Sequence, residues 1–130
     1  MFPDTFLYTK DHEWVNVDDG GGCIVGVSQF AQESLGDIVY VEFPAVGAKV
    51  HRGDEIGELE STKATSPIYS PVNGTILRIN DQLIARPDLV NNDPYGEGWI
   101  VSIMLETQEE LDQLMDAKAY EAFVRGEGDD

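Results

Sequence analysis

Short apolar segments, each bounded by Gly, Pro, Asn or Asp, make up most of the first hundred residues of the chain. Segments this short between turn-forming residues are typical of β-strands, because a buried helix needs a longer run of periodic apolar positions. The sequence therefore predicts a mainly β fold. The predicted strands are Phe6–Thr9, Trp14–Val17, Cys23–Val27, Ile38–Phe43, Glu55–Ser61, Ile68–Ser70, Thr75–Ile79 and Trp99–Leu105.

Local patterns add turns and a helix to this framework. Residues 18–22, Asp-Asp-Gly-Gly-Gly, predict a hairpin connection, because successive glycines permit positive φ angles. Ser28 is suited to cap a short helix over 29–35, and Gly36 follows where a left-handed residue ends a helix. Alternation of period two indicates strands with one face in the core. The inward-facing residues are predicted to be Val39, Val41 and Phe43 in one strand and Trp99, Val101, Ile103 and Leu105 in another.

The C-terminal part changes character after residue 105. Thr107 and Glu110 fit a capping box, and apolar residues then recur at helical spacing. Asp116 is suited to cap a further helix that ends near Gly126. We expect one domain, with its parts at about 5–105 for the β core, about 107–125 for a C-terminal helical extension and 126–130 for an acidic tail.

The charge balance excludes one large class of partners. Eight basic residues against 25 acidic residues give a formal net charge of -17, which would repel the phosphates of nucleic acid. The acidity has two interpretations that remain open together. It maintains solubility, or it speeds salt-sensitive docking onto basic enzyme surfaces.

The sequence shows neither a membrane segment nor an export signal. No apolar run approaches the length that spans a bilayer. Residues 1–4, Met-Phe-Pro-Asp, lack the basic and apolar regions of a secretory signal and the Arg-rich character of a transit peptide. We therefore expect the protein in the cytoplasm, or in the mitochondrial matrix for a processed organellar form.

Soft metal ligands are few and scattered. Cys23 is the single cysteine, so it cannot form an internal disulfide, and its apolar neighbours predict a buried thiol. His12 and His51 lie far from it and from each other, without metal-ligand spacing. We expect no metal site.

Lys63 is the single cation between Gly53 and Leu77. Strand-like segments on both sides, and small polar residues beside it, predict a tight turn with Lys63 at its exposed tip. An exposed amine near Glu60 has neither the desolvation nor the neighbouring cation that would lower its pKa for catalysis. Lys63 is therefore either an ordinary surface lysine or an attachment point for another group.

The residues around Lys63 resemble a known attachment motif. Residues 60–64, Glu-Ser-Thr-Lys-Ala, are similar to the lipoylation motif Glu-Ser-Val-Lys-Ala of glycine cleavage H proteins, with Thr62 in place of the usual valine. The resemblance covers nearly the whole chain, and so many blocks in the same order are not explained by coincidence. These blocks are His12-Glu13-Trp14, Ala31-Gln32, Leu35-Gly36-Asp37, Pro44, Gly47, Ser70-Pro71, Gly74, Asn91, Asp93-Pro94-Tyr95 and Gly98-Trp99.

This resemblance implies a fold and a modification. The fold would be a flattened β-barrel or sandwich of the lipoyl/biotinyl-carrier type, with pseudo-twofold halves, a short internal helix and a C-terminal helical extension. Lipoate would be attached covalently to Lys63. The motif that a lipoylating enzyme recognises would be Glu60, Ser61, Thr62 and Ala64.

The resemblance also implies a role as a non-catalytic carrier, which we expect to be a monomer. A pyridoxal-phosphate glycine decarboxylase would load the lipoyl arm with an aminomethyl group. A folate-dependent aminomethyltransferase would then take the one-carbon unit, and a lipoamide dehydrogenase would reoxidise the dithiol.

Family resemblance further implies that Glu13 borders a cleft in which the loaded arm rests. Asp11 and His12 stand beside it, although they are equally well explained as the start of a strand. A carboxylate would pair with the protonated amine of the arm, and the cleft would keep water away from it. Many relatives have an acidic residue where this chain has Pro67, which offers no acceptor side chain.

Other classes of protein fit the sequence less well. Lipoyl domains of 2-oxoacid dehydrogenases usually carry Asp-Lys-Ala at the tip and biotin carriers Met-Lys-Met, whereas residues 62–64 are Thr-Lys-Ala. An unmodified module that only binds partners stays open as an alternative. An enzyme has no nucleophile and base pair to support it, and Trp14 and Trp99 are predicted to be core aromatics.

Overall fold

The computed structural model describes residues 3–18 and 20–128. Short strands dominate these ranges, as predicted. Their bounds are β1 Leu7–Tyr8, β2 Glu13–Val17, β3 Gly22–Val27, β4 Ile38–Glu42, β5 Lys49–Val50, β6 Glu55–Ser61, β7 Thr65–Tyr69, β8 Gly74–Ile79 and β9 Val101–Leu105. The helices are α1 Gln29–Leu35, α2 Gln82–Ala85, α3 Leu89–Asn92, a 3-10 helix Gln108–Gln113 and α4 Ala117–Gly128.

The strands form two antiparallel sheets. The larger sheet has the order β1-β2-β3-β9-β8-β5, and the smaller sheet has the order β4-β6-β7. The mainly β, sandwich-type fold is therefore confirmed, although the two sheets do not close into one barrel. β4 and β7 are the edges of the smaller sheet, and β6 pairs with both of them.

Apolar residues of both sheets meet in one core. Ile76 and Ile103 of the larger sheet are almost fully buried together with Leu59 and Ile68 of the smaller sheet. Burial of such side chains is the main favourable contribution to the stability of a domain of this size. Trp14 is also buried, as predicted, in a second cluster that joins β1 and β2 to α4.

The alternation predicted for β4 is wrong at Val39. A register shift between Ile38 and Tyr40 interrupts the pairing of β4 with β6. Val39 and Tyr40 are consequently both on the surface, 49% and 56% exposed, whereas Ile38 and Val41 are buried. An extra residue in one strand of a pair changes the side on which the following side chains lie.

The C-terminal extension packs against the β core in two pieces. Thr107 caps the 3-10 helix. The predicted capping box is not formed, because the carboxylate of Glu110 accepts hydrogen bonds from the backbone N–H of Asn73 at 2.8 and 3.1 Å. Asp116 caps α4 as predicted. This helix continues past the expected end near Gly126, and the last two residues of the predicted acidic tail lie outside the described ones.

Most helices of the chain are short. α2 and α3 contain four residues each, which is too few to show periodicity, so the sequence did not predict them. Among the described residues, no helix is both long enough and apolar enough to cross a lipid bilayer.

Candidate functional site

Lys63 lies in the turn that joins β6 to β7, with its side chain exposed. Glu60 and Thr65 form the last pair of the two strands. Beyond them, the N–H of Ser61 donates to the carbonyl of Ala64 at 2.8 Å and closes the turn. Lys63 thus stands at the hairpin tip that the sequence predicts.

The side chain of Ser61 holds this turn together from inside. Its Oγ donates to the carbonyl of Ala64 at 3.0 Å and accepts from the N–H groups of Lys63 at 3.2 Å and Ala64 at 3.0 Å. The serine itself is buried. Its contacts fix the backbone on both sides of Lys63, so that the amine extends from a rigid base.

The turn is also attached to the segment between α1 and β4. The N–H of Thr62 donates to the carbonyl of Asp37 at 3.1 Å. Gly36 ends α1 with a φ of 84°, as the sequence predicted, and it lies next to the side chain of Lys63. A Cβ atom at Gly36 would be 3.6 Å from Cε of Lys63. A side chain would therefore fit in the space beside Lys63, and it is the positive φ that favours glycine at this position.

Asn91 of α3 supports the same segment from the side of the core. Its Nδ2 donates to the carbonyl of Gly36 and to Oε1 of Gln32, both at 2.9 Å. Its Oδ1 accepts from the N–H of Ile38 at 2.9 Å. One side chain thus fixes the end of α1 and the start of β4. The two backbone groups that it binds there, on Gly36 and Ile38, flank Asp37, whose carbonyl accepts from Thr62.

These residues fit a covalently attached lipoyl group. Among the described residues, no ion pair involves Lys63. An exposed amine without a carboxylate partner is accessible to an acylating enzyme, and the rigid turn presents it in a constant position. The residues of the predicted motif, Glu60, Ser61, Thr62 and Ala64, all lie at this end of the hairpin.

Glu13 occupies a different environment and is only 2% exposed. Its Oε1 accepts from the hydroxyl of Thr9 at 2.7 Å, and its Oε2 accepts from the N–H of Tyr69 at 3.2 Å. Burial raises the pKa of Glu13 to about 7, the two hydrogen bonds oppose this shift, and the charge of Asp11 adds to it. Near neutral pH, the carboxyl is therefore divided between its charged and uncharged forms.

The structure does not place Glu13 beside Lys63. Tyr69, which contacts Glu13, ends β7, whereas Ala64 directly precedes the start of that strand. A strand rise of about 3.3 Å per residue places Tyr69 about 17 Å from Ala64. Only a long arm attached to Lys63 would connect the two regions.

Asp11 and His12, which precede Glu13, lie in different surroundings. Asp11 is exposed and lines a cavity of about 320 Å³ together with Arg52. His12 is half-buried, and its Nδ1 lies 2.7 Å from the hydroxyl of Tyr120 in α4. Its φ of 71° is uncommon for a residue other than glycine. His12 thus connects the start of β2 with the C-terminal helix.

Cys23 is buried in the core, as predicted. Burial raises the pKa of its thiol to about 12, so the thiol stays protonated near neutral pH. In the part of the chain that the structure describes, no group of His, Cys, Asp and Glu side chains is arranged to hold a metal ion.

Three residues that shape this region were not found from the sequence. Thr9 holds Glu13, Asn91 holds the segment beneath the Lys63 turn, and Tyr120 holds His12. Asn91 did belong to one of the matching sequence blocks. Its three bonds, however, join elements that are distant in the chain, and no local pattern indicates them.

Known proteins similar to this chain share one family description. Residues 6–127 match the family model described as Glycine cleavage H-protein. A "Glycine cleavage system H protein" of Myxococcus xanthus is 50% identical over 123 residues, covering 95% of each chain. One from Carboxydothermus hydrogenoformans is 43% identical over 129 residues, covering 99% of this chain and 98% of the relative. A crystal structure of a glycine cleavage system H protein from Mycobacterium marinum has a TM-score of 0.84 and 36% identity, covering 92% of this chain and 95% of that one.

Proposed function

Because this chain belongs to the glycine cleavage H-protein family, we propose that Lys63 carries a covalently attached lipoyl group. The observation that carries the proposal is the exposed Lys63 at the tip of the β6–β7 hairpin, with Ser61 fixing the backbone on both sides. When attached, the group would supply a disulfide that accepts an aminomethyl unit and stores two electrons.

The residues of the chain itself present this group and perform no catalysis under the proposal. Ser61 and Thr62 hold the turn in place, and Glu60 and Ala64 complete the surface that a lipoylating enzyme recognises. The protein would act as a monomer that visits three enzymes in turn. These are a pyridoxal-phosphate glycine decarboxylase, a folate-dependent aminomethyltransferase and a lipoamide dehydrogenase.

The net charge of -17 supports such visits. A strongly acidic carrier is attracted over long distances to basic surfaces around the active sites of its partners. This attraction increases the rate of encounter without requiring a tight complex. A carrier that must leave one enzyme before it meets the next benefits from fast association of this kind.

We also propose Glu13, with His12 and Asp11 beside it, as the place where the cationic end of the loaded arm rests. Both oxygens of Glu13 already accept hydrogen bonds, so an arriving ammonium group would replace the donor from Thr9. Asp11 is exposed, and its charge acts on Glu13, so it offers a second carboxylate nearby. Burial of the charge pair would exclude water from the group being carried.

Intact-mass measurement after incubation with lipoate, ATP and a purified lipoylating enzyme tests the attachment. The wild-type protein should gain the mass of one lipoyl group, and Lys63→Arg should gain none. Lys49→Arg is the matched control, because Lys49 is also an exposed lysine but lies on strand β5 rather than in the turn. It should be modified like the wild type, and peptide mapping should locate the group on Lys63.

The same experiment addresses the alternative of an unmodified binding module. A wild-type protein that gains no mass, while a known lipoyl carrier in the same tube is modified, would overturn the proposal. Modification that persists in Lys63→Arg would also overturn it, because the attachment point would then be another residue.

A further inference from the structure

The β-bulge in β4 exposes two adjacent apolar side chains beside the Lys63 turn. Tyr40 pairs with Glu60, which stands just before the turn, and Val39 lies in the bulge itself. Paired strands are separated by about 4.8 Å, so both side chains belong to the immediate surroundings of the turn. Val39 is 49% exposed and Tyr40 is 56% exposed.

A third exposed apolar side chain belongs to an element that packs against β4. α2 packs against β4, and its Ile84 is also exposed. β4 is an edge strand of the smaller sheet. Exposed apolar side chains on an edge strand are a hazard for aggregation, and a contiguous group of them marks a site of interaction. We call the exposed side chains of Val39, Tyr40 and Ile84 the β4 patch.

We propose that the β4 patch is the docking surface for the enzyme that acylates Lys63. This inference rests on the proposed function, since it requires that Lys63 is modified. In the reaction, the carboxyl carbon of an activated lipoyl donor bonds to Nζ, the activating group leaves with the bonding electron pair, and Nζ loses a proton. The new bond is an amide.

The length of the lysine side chain points to this enzyme among the partners. Before modification, no arm exists, so the acylating enzyme must bring its reacting carbon to Nζ itself. It therefore has to cover the surface next to the turn, where Tyr40 pairs with Glu60 and Val39 precedes Tyr40. The other enzymes meet the far end of a long arm and are free to dock elsewhere.

The charges around the patch define the partner further. Three exposed acidic residues lie near Val39 and Tyr40 in the chain or in the strand pairing: Asp37 precedes β4, Glu42 ends it, and Glu60 is the partner of Tyr40 in β6. An apolar centre with an acidic border is complementary to an enzyme surface that has an apolar pocket with basic groups around it. Tyr40 is the expected anchor, because aromatic residues at the centre of an interface contribute most of the binding energy.

The test compares the rates at which a purified lipoylating enzyme modifies single variants, with free lipoate and ATP in excess. Tyr40→Ser should lower kcat/KM at least tenfold through a higher KM, and Val39→Ser should lower it severalfold. Tyr40→Phe should retain most of the rate, since it keeps the ring. Val46→Ser is the matched control for Val39→Ser, because Val46 is 60% exposed but follows the end of β4 that points away from Lys63.

The outcomes separate this inference from the proposed function. If the wild type and Tyr40→Ser are modified on Lys63 at equal rates, the docking surface is wrong and the carrier role stands. If Tyr40→Ser is lipoylated normally but is a poorer substrate for the decarboxylase, the patch belongs to that enzyme and our assignment fails. If the wild type is not modified at all, both proposals fail. Circular dichroism spectra that match the wild type would show that each variant is folded.

Discussion

The backbone N–H of Thr62 donates to the carbonyl of Asp37 at 3.1 Å, so the turn that carries Lys63 is bonded to the connection between α1 and β4. That connection is held in turn by Asn91, which lies on a different element. The position of Lys63 therefore depends on contacts outside its own hairpin. Substitutions at some distance from the lysine should change how well the turn is ordered.

Asn91→Leu should lower the free energy of unfolding by about 2–4 kcal/mol, because backbone groups of Gly36 and Ile38 lose their partner. The substitution should also speed hydrogen exchange at the N–H of Thr62, because this group bonds to Asp37, which lies between Gly36 and Ile38. Urea denaturation and amide exchange measure the two effects. Asn92→Leu is the control in the same helix, since Asn92 is exposed and bonds only to Asp88. Equal effects of both substitutions would contradict the supporting role of Asn91.

Ser61→Ala should lower the free energy of unfolding by about 1–2 kcal/mol. The N–H groups of Lys63 and Ala64 and the carbonyl of Ala64 would lose the buried hydroxyl as a hydrogen-bond partner. The looser turn should also slow lipoylation of Lys63, which the intact-mass assay measures over time. Ser66→Ala is the control, since the hydroxyl of Ser66 makes only a contact of 3.5 Å with the carbonyl of Pro67. A normal rate in Ser61→Ala would show that the turn keeps its shape without the hydroxyl.

The hairpin tip could be predicted because its signals are local. Strand-like segments on both sides of Lys63 pair directly with each other, so chain order alone brings them together. The caps at Ser28 and Asp116 were predicted for the same reason, since each side chain bonds to a backbone group three residues further on. In such cases the sequence window contains both partners of the interaction.

The failures have a common physical cause. The exposure of Val39 follows from the register of β4 against β6, and the alternation within β4 contains no information about that register. The capping box failed because Glu110 finds a donor on Asn73, far away in the chain. At Glu13 no prediction failed, but the bond that it accepts from the N–H of Tyr69 in β7 is equally distant in the chain. Tertiary partners decided each of these positions.

The rate of glycine decarboxylation at low carrier concentration should fall as salt rises. The net charge of -17 attracts a basic partner through water, and ions at 0.15 M screen this attraction beyond about 8 Å. Initial rates between low and physiological ionic strength measure the slope. Free lipoamide, which lacks the acidic protein, is the control substrate and should show a flatter response. Equal slopes for both substrates would mean that the acidity serves solubility alone.

The stability of the protein should decrease as pH rises from about 5 to 8, because of Glu13. Burial raises the pKa of Glu13 in the folded protein to about 7 from a value of 4.5, so the folded state binds the proton more tightly than the unfolded state. The resulting stabilisation is complete below the unfolded pKa and is lost as pH passes through the folded pKa. At 1.36 kcal/mol per pKa unit, it amounts to about 3 kcal/mol at most.

Glu13→Gln should remove this pH dependence, because a glutamine keeps the shape of the side chain but does not titrate. Its carbonyl oxygen can accept from the N–H of Tyr69 while its amide nitrogen faces the hydroxyl oxygen of Thr9. Urea denaturation at several pH values between 5 and 8 measures the free energy of unfolding. The variant should therefore gain stability relative to the wild type as pH rises, whereas Glu42→Gln, at an exposed position, should follow the wild-type curve. If Glu13→Gln and the wild type lose stability in parallel over this range, then Glu13 is charged throughout it and some other group is responsible for the slope.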